Sequence, residues 1–129
     1  MFTNLLVVSL LTQQLVFALA LTEEEQRTGM MYRTNWGNWA GMIFVFPKPQ
    51  QVAFWMKNTP LPMPIVYVDE DLSVLEIHEG APFSTYTMVS RSAQVRYVLE
   101  LNPATTNIIW RHYGIFRKQL KKELVRRKL

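Results

Sequence analysis

Apolar residues recur with period two through most of the first hundred positions and with a helical period beyond them. Met42 to Phe46 is apolar on both alternating faces and stops at Pro47-Lys48-Pro49, which predicts a buried strand followed by a stiff turn. Phe54-Trp55-Met56-Lys57-Asn58 predicts a central strand. Phe54 and Met56 share a face with Val52, and Trp55 and Lys57 share the other. Its second face also carries Trp, so both sides are expected to be covered, and truncating Trp55 is expected to damage folding. A sharper reading of the same stretch is a recess with Trp55 as floor and Lys57 and Asn58 as polar lining. Pro60, Pro62 and Pro64 cannot donate ladder hydrogen bonds and mark a loop or sheet edge. Ile65–Val68 and Val74–Ile77 then form a hairpin around Asp69-Glu70-Asp71. From Gln94 to Leu101 the alternation places Val95, Tyr97, Leu99 and Leu101 inward. Arg96 and Glu100 fall outward, as a surface ion pair of little energetic weight.

Two helices interrupt this pattern. Thr22 with Glu25 three residues on is a capping box, Glu23 and Glu24 complement the helix N-terminus, and Gly29 supplies a stop. Near the C-terminus, Ile109, Tyr113, Phe116, Leu120 and Leu124 fall on one helical stripe, with Gly114 as the expected point of weakness. Trp36 and Trp39 in the loop between read as lids over a core edge. The reading divides the chain into a β-rich body over 1–104 and a basic amphipathic helical extension over 105–129.

Met1 to Leu21 admits three readings, of which a membrane span of about 20 apolar residues is poor because Gln13 and Gln14 fall near its middle. The stretch ends in Ala18-Leu19-Ala20, as a signal peptide does before its cleavage site, but it has no basic n-region, and Thr12-Gln13-Gln14 breaks the apolar run. The reading preferred here is a hairpin, Leu5–Leu11 and Leu15–Ala20, in a protein that is not secreted.

Charge changes the picture more than composition does. The chain has 129 residues, 49% of them hydrophobic, which suits one globular domain. It has no cysteine, so disulfides, thiolate metal sites and thiol nucleophiles are excluded. Residues 1–110 carry six Lys/Arg against nine Asp/Glu, a net −3, whereas residues 111–129 carry eight against Glu123 alone, a net +7. The basic character belongs to the tail. Asp69-Glu70-Asp71 lacks the glycine and distal glutamate of a calcium loop, and His78 and His112 are too few and too separate for a histidine metal site. No metal or cofactor is implied.

Phe54-Trp55-Met56-Lys57-Asn58-Thr59 resembles the hallmark of a family known as domain of unknown function 192. Further landmarks follow in the family's order: Thr22 to Arg33 with Gly29-Met30-Met31-Tyr32-Arg33, then Gly41 to Phe46, Asp69, and Arg96 to Asn102. The resemblance covers about residues 15–102. It implies a mainly β, α+β fold, a small partly open β-barrel or sheet-sandwich with a short helix in its N-terminal half. To this the chain adds its basic C-terminal helix. The family also implies a first strand running directly into Thr22, which supports the hairpin. This chain departs from the pattern at Pro64, where an aspartate is usual, at Leu72, where the acidic turn normally has glycine, and after Asn102. The resemblance carries no biochemical activity.

No general acid–base pair, activated nucleophile or metal-ligand set can be assembled, so a non-enzyme is expected. The leading expectation is a binding or structural module, a β-rich platform whose basic helix docks a partner in a larger assembly, for instance a large complex or a virus particle. Arg117, Lys118, Lys121, Lys122, Arg126 and Arg127 would carry the docking. The partner is expected to be a protein or another copy, with nucleic acid or an anionic surface as further options. The alternative is a small-ligand site lined by Arg33, Trp55, Lys57 and Asn58.

Overall fold

The computed structural model describes residues 2–129. Its strands are β1 (Leu5–Leu10), β2 (Gln13–Ala20), β3 (Trp39–Gln50), β4 (Ala53–Phe54), β5 (Met63–Val68), β6 (Val74–Gly80), β7 (Met88–Val89) and β8 (Val95–Leu101). The helices are α1 (Glu23–Thr28), α2 (Pro103–Arg111) and α3 (Tyr113–Arg126). Six strands form one mixed sheet in the order β1-β2-β3-β8-β5-β6, and β4 and β7 pair in a separate two-stranded sheet. Only β2 and β3 run parallel, joined through α1. The protein is thus mainly β, and its large sheet stays open, without closing into a barrel.

The sheet buries both faces, and each face has its own cover. On one face Leu6, Val8, Phe17, Leu19, Ile43, Val66, Tyr97 and Leu99 pack with Ile109, Phe116, Leu120 and Leu124 of the C-terminal helices. On the other face Ala18, Met42, Phe44, Ile65, Tyr67 and Val98 pack with Met30, Trp36, Val52, Met56 and Met88, which come from loops and the small sheet. The helical stripe therefore belongs to the protein's own core. The break between helices falls at His112, where φ is −125° and ψ 37°, two residues ahead of the expected Gly114.

The N-terminal hairpin forms with its turn at Leu11-Thr12, one residue earlier than the polar signal indicated. The capping box closes as expected: Thr22 Oγ1 accepts from Glu25 N at 3.0 Å, and Glu25 Oε1 accepts from Thr22 N at 3.1 Å. Gly29 ends that helix at φ +48°, and a Cβ there would meet the Phe44 ring at 3.3 Å. One proline expectation needs correction, and another holds in its edge form. Pro47 and Pro49 do not end β3, which continues to Gln50 while its pairing with β8 lapses between Val45 and Gln50. Pro64 lies within β5 opposite Glu79, but pairing of β5 with β8 begins only at Ile65, so β5 has a single neighbour where the N–H is missing.

The predicted central strand is displaced furthest. Residues 54–58 contribute only Phe54 to a strand, and that strand is two residues long and peripheral. The alternation of Val52, Phe54 and Met56 against Ala53, Trp55 and Lys57 is correct, but Trp55 is 43% exposed. What looked like a core strand is a strap laid over the sheet.

Leu72 shows how burial can override backbone preference. It adopts φ 62° in the β5–β6 turn, at the position where glycine is usual, and is wholly buried. Left-handed backbone costs about 1–2 kcal/mol for a residue with a Cβ, while emptying a buried leucine site costs about 2–5 kcal/mol. The lost packing outweighs the relieved backbone, so Leu72→Gly should lower the thermal midpoint. An unchanged or higher midpoint in a melting experiment would contradict this.

A candidate ligand pocket over Glu100

Glu100 lies in β8 at the centre of the sheet. The register places it beside Met42 of β3 and Ile65 of β5, in a row that continues to Ala18 on one side and His78 on the other. The backbone there is occupied by ladder bonds on both edges, and the neighbouring side chains on its face are apolar. Glu100 is 4% exposed and its Oε1 has no hydrogen-bond partner. Loss of hydration raises the carboxyl to a pKa of about 8, so the neutral acid dominates at pH 7. The expected Arg96–Glu100 pair does not form. Arg96 instead reaches Glu70, with Nε 3.7 Å from Oε1, and donates to the Phe46 carbonyl.

A cavity of about 320 Å³ opens above Glu100. Its walls are the 26–31 segment at the end of α1, Phe44 and Phe46 of β3, and Phe54, Trp55 and Thr59 of the strap. Phe54 is fixed edge-on to Phe44, with centroids 4.9 Å apart and planes at 88°, and more loosely to Phe46 and Tyr67. Main-chain bonds tie the strap down: Met56 N donates to Ser84 O at 3.0 Å, Phe83 N to Thr59 O at 3.0 Å, and Tyr32 N to Asn58 O at 2.7 Å. Gln26 is held by Nε2 donating to the carbonyls of Ala20 and Val45. The cavity is therefore rigidly framed, with mainly apolar walls that also include Gln26, Arg27, Thr28 and Thr59, and with Glu100 in its lining.

Of the four ligand residues expected from sequence, only Trp55 lines this cavity. Lys57 lies outside it with Nζ 5.1 Å from the Trp55 ring centroid. Asn58 adopts φ 57° and donates through Nδ2 to the Tyr32 hydroxyl at 3.0 Å, so it secures the strap. Arg33 stacks on Trp39, its Cζ 4.0 Å from the ring centroid, and its buried Nε has no partner. The four do not converge. Sequence reasoning missed Glu100 because alternation with Arg96 put it outside. The signal available was Val98, which shares its face: a strand apolar on both faces has no outside.

The six basic residues expected to dock a partner lie on α3 and just after it, but they are not equally free. Arg117 Nε donates to the Asp71 carbonyl at 2.7 Å and Lys121 Nζ to the Glu70 carbonyl at 2.6 Å, which ties the helix to the acidic turn. Arg126 pairs with Glu123 at 2.7 Å. Lys118, Lys122 and Arg127 are exposed.

A sequence model of DUF192, described as "Uncharacterized ACR", matches residues 7–109. The chain belongs to the DUF192 family. The match runs from β1 well into α2, further at both ends than the resemblance by motif. No curated protein matches the chain. Two solved structures share the fold. One is a protein of unknown function from Novosphingobium aromaticivorans DSM 12444, 30% identical, with a TM-score of 0.65 over 81% of this chain and 76% of that one. The other, a "putative transcription regulator" from Sinorhizobium meliloti 1021, is 31% identical, with a TM-score of 0.66 over 81% of both chains. For this DUF192 domain the family supplies a fold and no chemistry.

Titration of Glu100 has a definite sign. The unfolded carboxyl ionises near its ordinary value of 4.5, whereas the folded one stays protonated to about 8. The unfolded chain therefore releases a proton that the folded chain keeps, and folding loses stability across that window, by up to about 1.4 kcal/mol per pH unit. Glu100→Gln cannot ionise and should melt close to the parent at pH 4.5 but well above it at pH 8. Parallel pH profiles for the two proteins would refute a buried, unpaired carboxyl.

Proposed function

We propose that this protein is a non-catalytic small-ligand-binding module whose site is the cavity between the end of α1, the 54–59 strap and Glu100. One observation carries the reading: an unpaired carboxyl whose nearest neighbours on its sheet face, Met42, Ile65 and Val98, are apolar, in the lining of a framed cavity. A buried polar group without a partner costs roughly 1–3 kcal/mol, and leucine at this position would avoid that cost. A ligand that supplies the missing hydrogen bond would offset it. Trp55, half out of the fold at the cavity wall, is the expected contact for the ligand's outer portion.

Trp55→Ala should accordingly separate binding from folding. A fully buried tryptophan would cost about 3–5 kcal/mol on truncation, and this one should cost much less. Any small molecule retained by the parent in native mass spectrometry should be lost from the variant while its melting point stays within a few degrees. A ligand-free parent, or a variant that unfolds, would overturn the proposal.

A second reading keeps the protein as a structural or regulatory platform whose basic helix docks an anionic partner. What favours it is that Lys118, Lys122 and Arg127 stand exposed without an acidic partner side chain, in a segment of net charge +7. The regulator name of the Sinorhizobium structure would fit a nucleic-acid partner, and another copy or an assembly protein with an acidic face would fit the same charges. Deleting the helix cannot test this, because Phe116, Leu120 and Leu124 are core residues. Charge reversal at Lys118 and Lys122 can. The fold should persist, and salt-sensitive retention on nucleic acid or on an acidic protein surface should fall at least tenfold; parent protein that ignores polyanions at low salt would end this reading.

A further inference from the structure

We propose that the cavity over Glu100 takes a compact neutral molecule, an apolar ring or chain bearing one carbonyl-type acceptor, which accepts a hydrogen bond from the Glu100 carboxyl. This rests on the ligand-binding reading above and adds the chemical class. The size sets the first limit, since about 320 Å³ is at the small end of ligand clefts. The walls set the second: Met30, Phe44, Phe46 and Phe54 offer contact area and edge-to-face partners but no charge.

The polar groups around the carboxyl decide between acceptor, cation and anion. From α1, Arg27 lines the cavity, and its residue is exposed. From the strap, Lys57 sits over Trp55 outside the cavity. From β5, Tyr67 donates its hydroxyl to the Met88 carbonyl, and its own pKa is raised, first by burial and then by Glu76 and Glu100. From β6, the His78 ring meets Tyr67 at a tilt of 50°, and its Nε2 lies 3.0 Å from Glu76 Oε1. No cation among these reaches Glu100. A cationic ligand would have to pass Arg27 and leave the carboxyl ionised in an apolar setting. An anionic ligand would carry its charge into the same setting. A neutral acceptor requires neither, and it uses the protonated acid as a donor at the point where the buried carboxyl has no partner of its own.

The consequence is a site whose occupancy falls with alkalinity. Three probes sharing one ring separate the classes: N-benzylacetamide, benzylamine and benzoate, each titrated into the full chain with chemical-shift changes as readout at pH 6, 7.5 and 9.5. N-benzylacetamide is expected to bind best, to shift resonances of Phe54 and Trp55, and to weaken more than tenfold from pH 6 to pH 9.5 as the acid ionises. Glu100→Gln, which keeps an N–H donor and cannot ionise, should hold its affinity flat over that range, and Glu100→Leu should bind weakly at every pH. Benzylamine binding that tightens from pH 6 to pH 7.5, where the amine stays charged, would overturn the neutral class while leaving the pocket standing. Binding of N-benzylacetamide that is equally strong at pH 9.5, or unaffected by Glu100→Leu, would overturn the role of Glu100. Failure of all three probes to shift any cavity residue would remove the pocket itself, and with it the ligand-binding reading.

Discussion

The ladder between β3, β8 and β5 is the constraint on which the rest depends. β8 is hydrogen-bonded along both edges, and its side chains are buried on both faces. A strand in that position obliges the chain to supply two covers, since an antiparallel-rich sheet with one solvated face would leave Val98 and Met42 in water. The helices α2 and α3 provide one cover. The other has no long helix, but has α1, the tryptophan loop, the strap and the short β7 segment. A cover assembled from short irregular pieces fills space less completely than a helix lying along a sheet, and the cavity occurs on that side.

Much of this is legible from residues. The capping box at Thr22, the stop at Gly29, the N-terminal hairpin, the Asp69 turn and the apolar stripe from Ile109 to Leu124 each rest on local chemistry, and each forms, with the hairpin turn one residue early and the helix broken at His112. The errors share a different origin. Phe54 to Asn58 has the composition of a central strand, but whether aromatics are buried by strand partners or by lying flat across a sheet is a tertiary matter. Glu100 is misplaced for the same reason: period two says which residues share a face, not which faces meet water. Arg33, Lys57 and Asn58 group by residue type, and the fold sets them separately against Trp39, Trp55 and Tyr32.

The two basic-helix observations are reconciled by geometry. The stripe could be satisfied within one molecule, and it is. The like charges suggest a need for an external counter-surface, yet Arg117 and Lys121 find main-chain carbonyls of the acidic turn. Those bonds add a second attachment between α3 and the β5–β6 hairpin, beside the hydroxyl of Tyr113 donating to Leu72 O at 2.6 Å. The buried left-handed leucine, the turn and the helix thus hold one another in place at one corner of the sheet.

The pairing of Ile43 with Leu99 has a kinetic side as well. The hairpins β1–β2 and β5–β6 close short loops and can form within microseconds. The central ladder joins residues far apart in sequence, and β2 must meet β3 in parallel across α1. Non-local pairing of this kind places a domain among the millisecond-to-second folders. Because β8 inserts between β3 and β5, the β3 edge and the β5 edge of the β5–β6 hairpin stay unpaired until it does. Val66 and Ile43 line those edges, so the interval before insertion is when this chain is most open to pairing with another copy of itself.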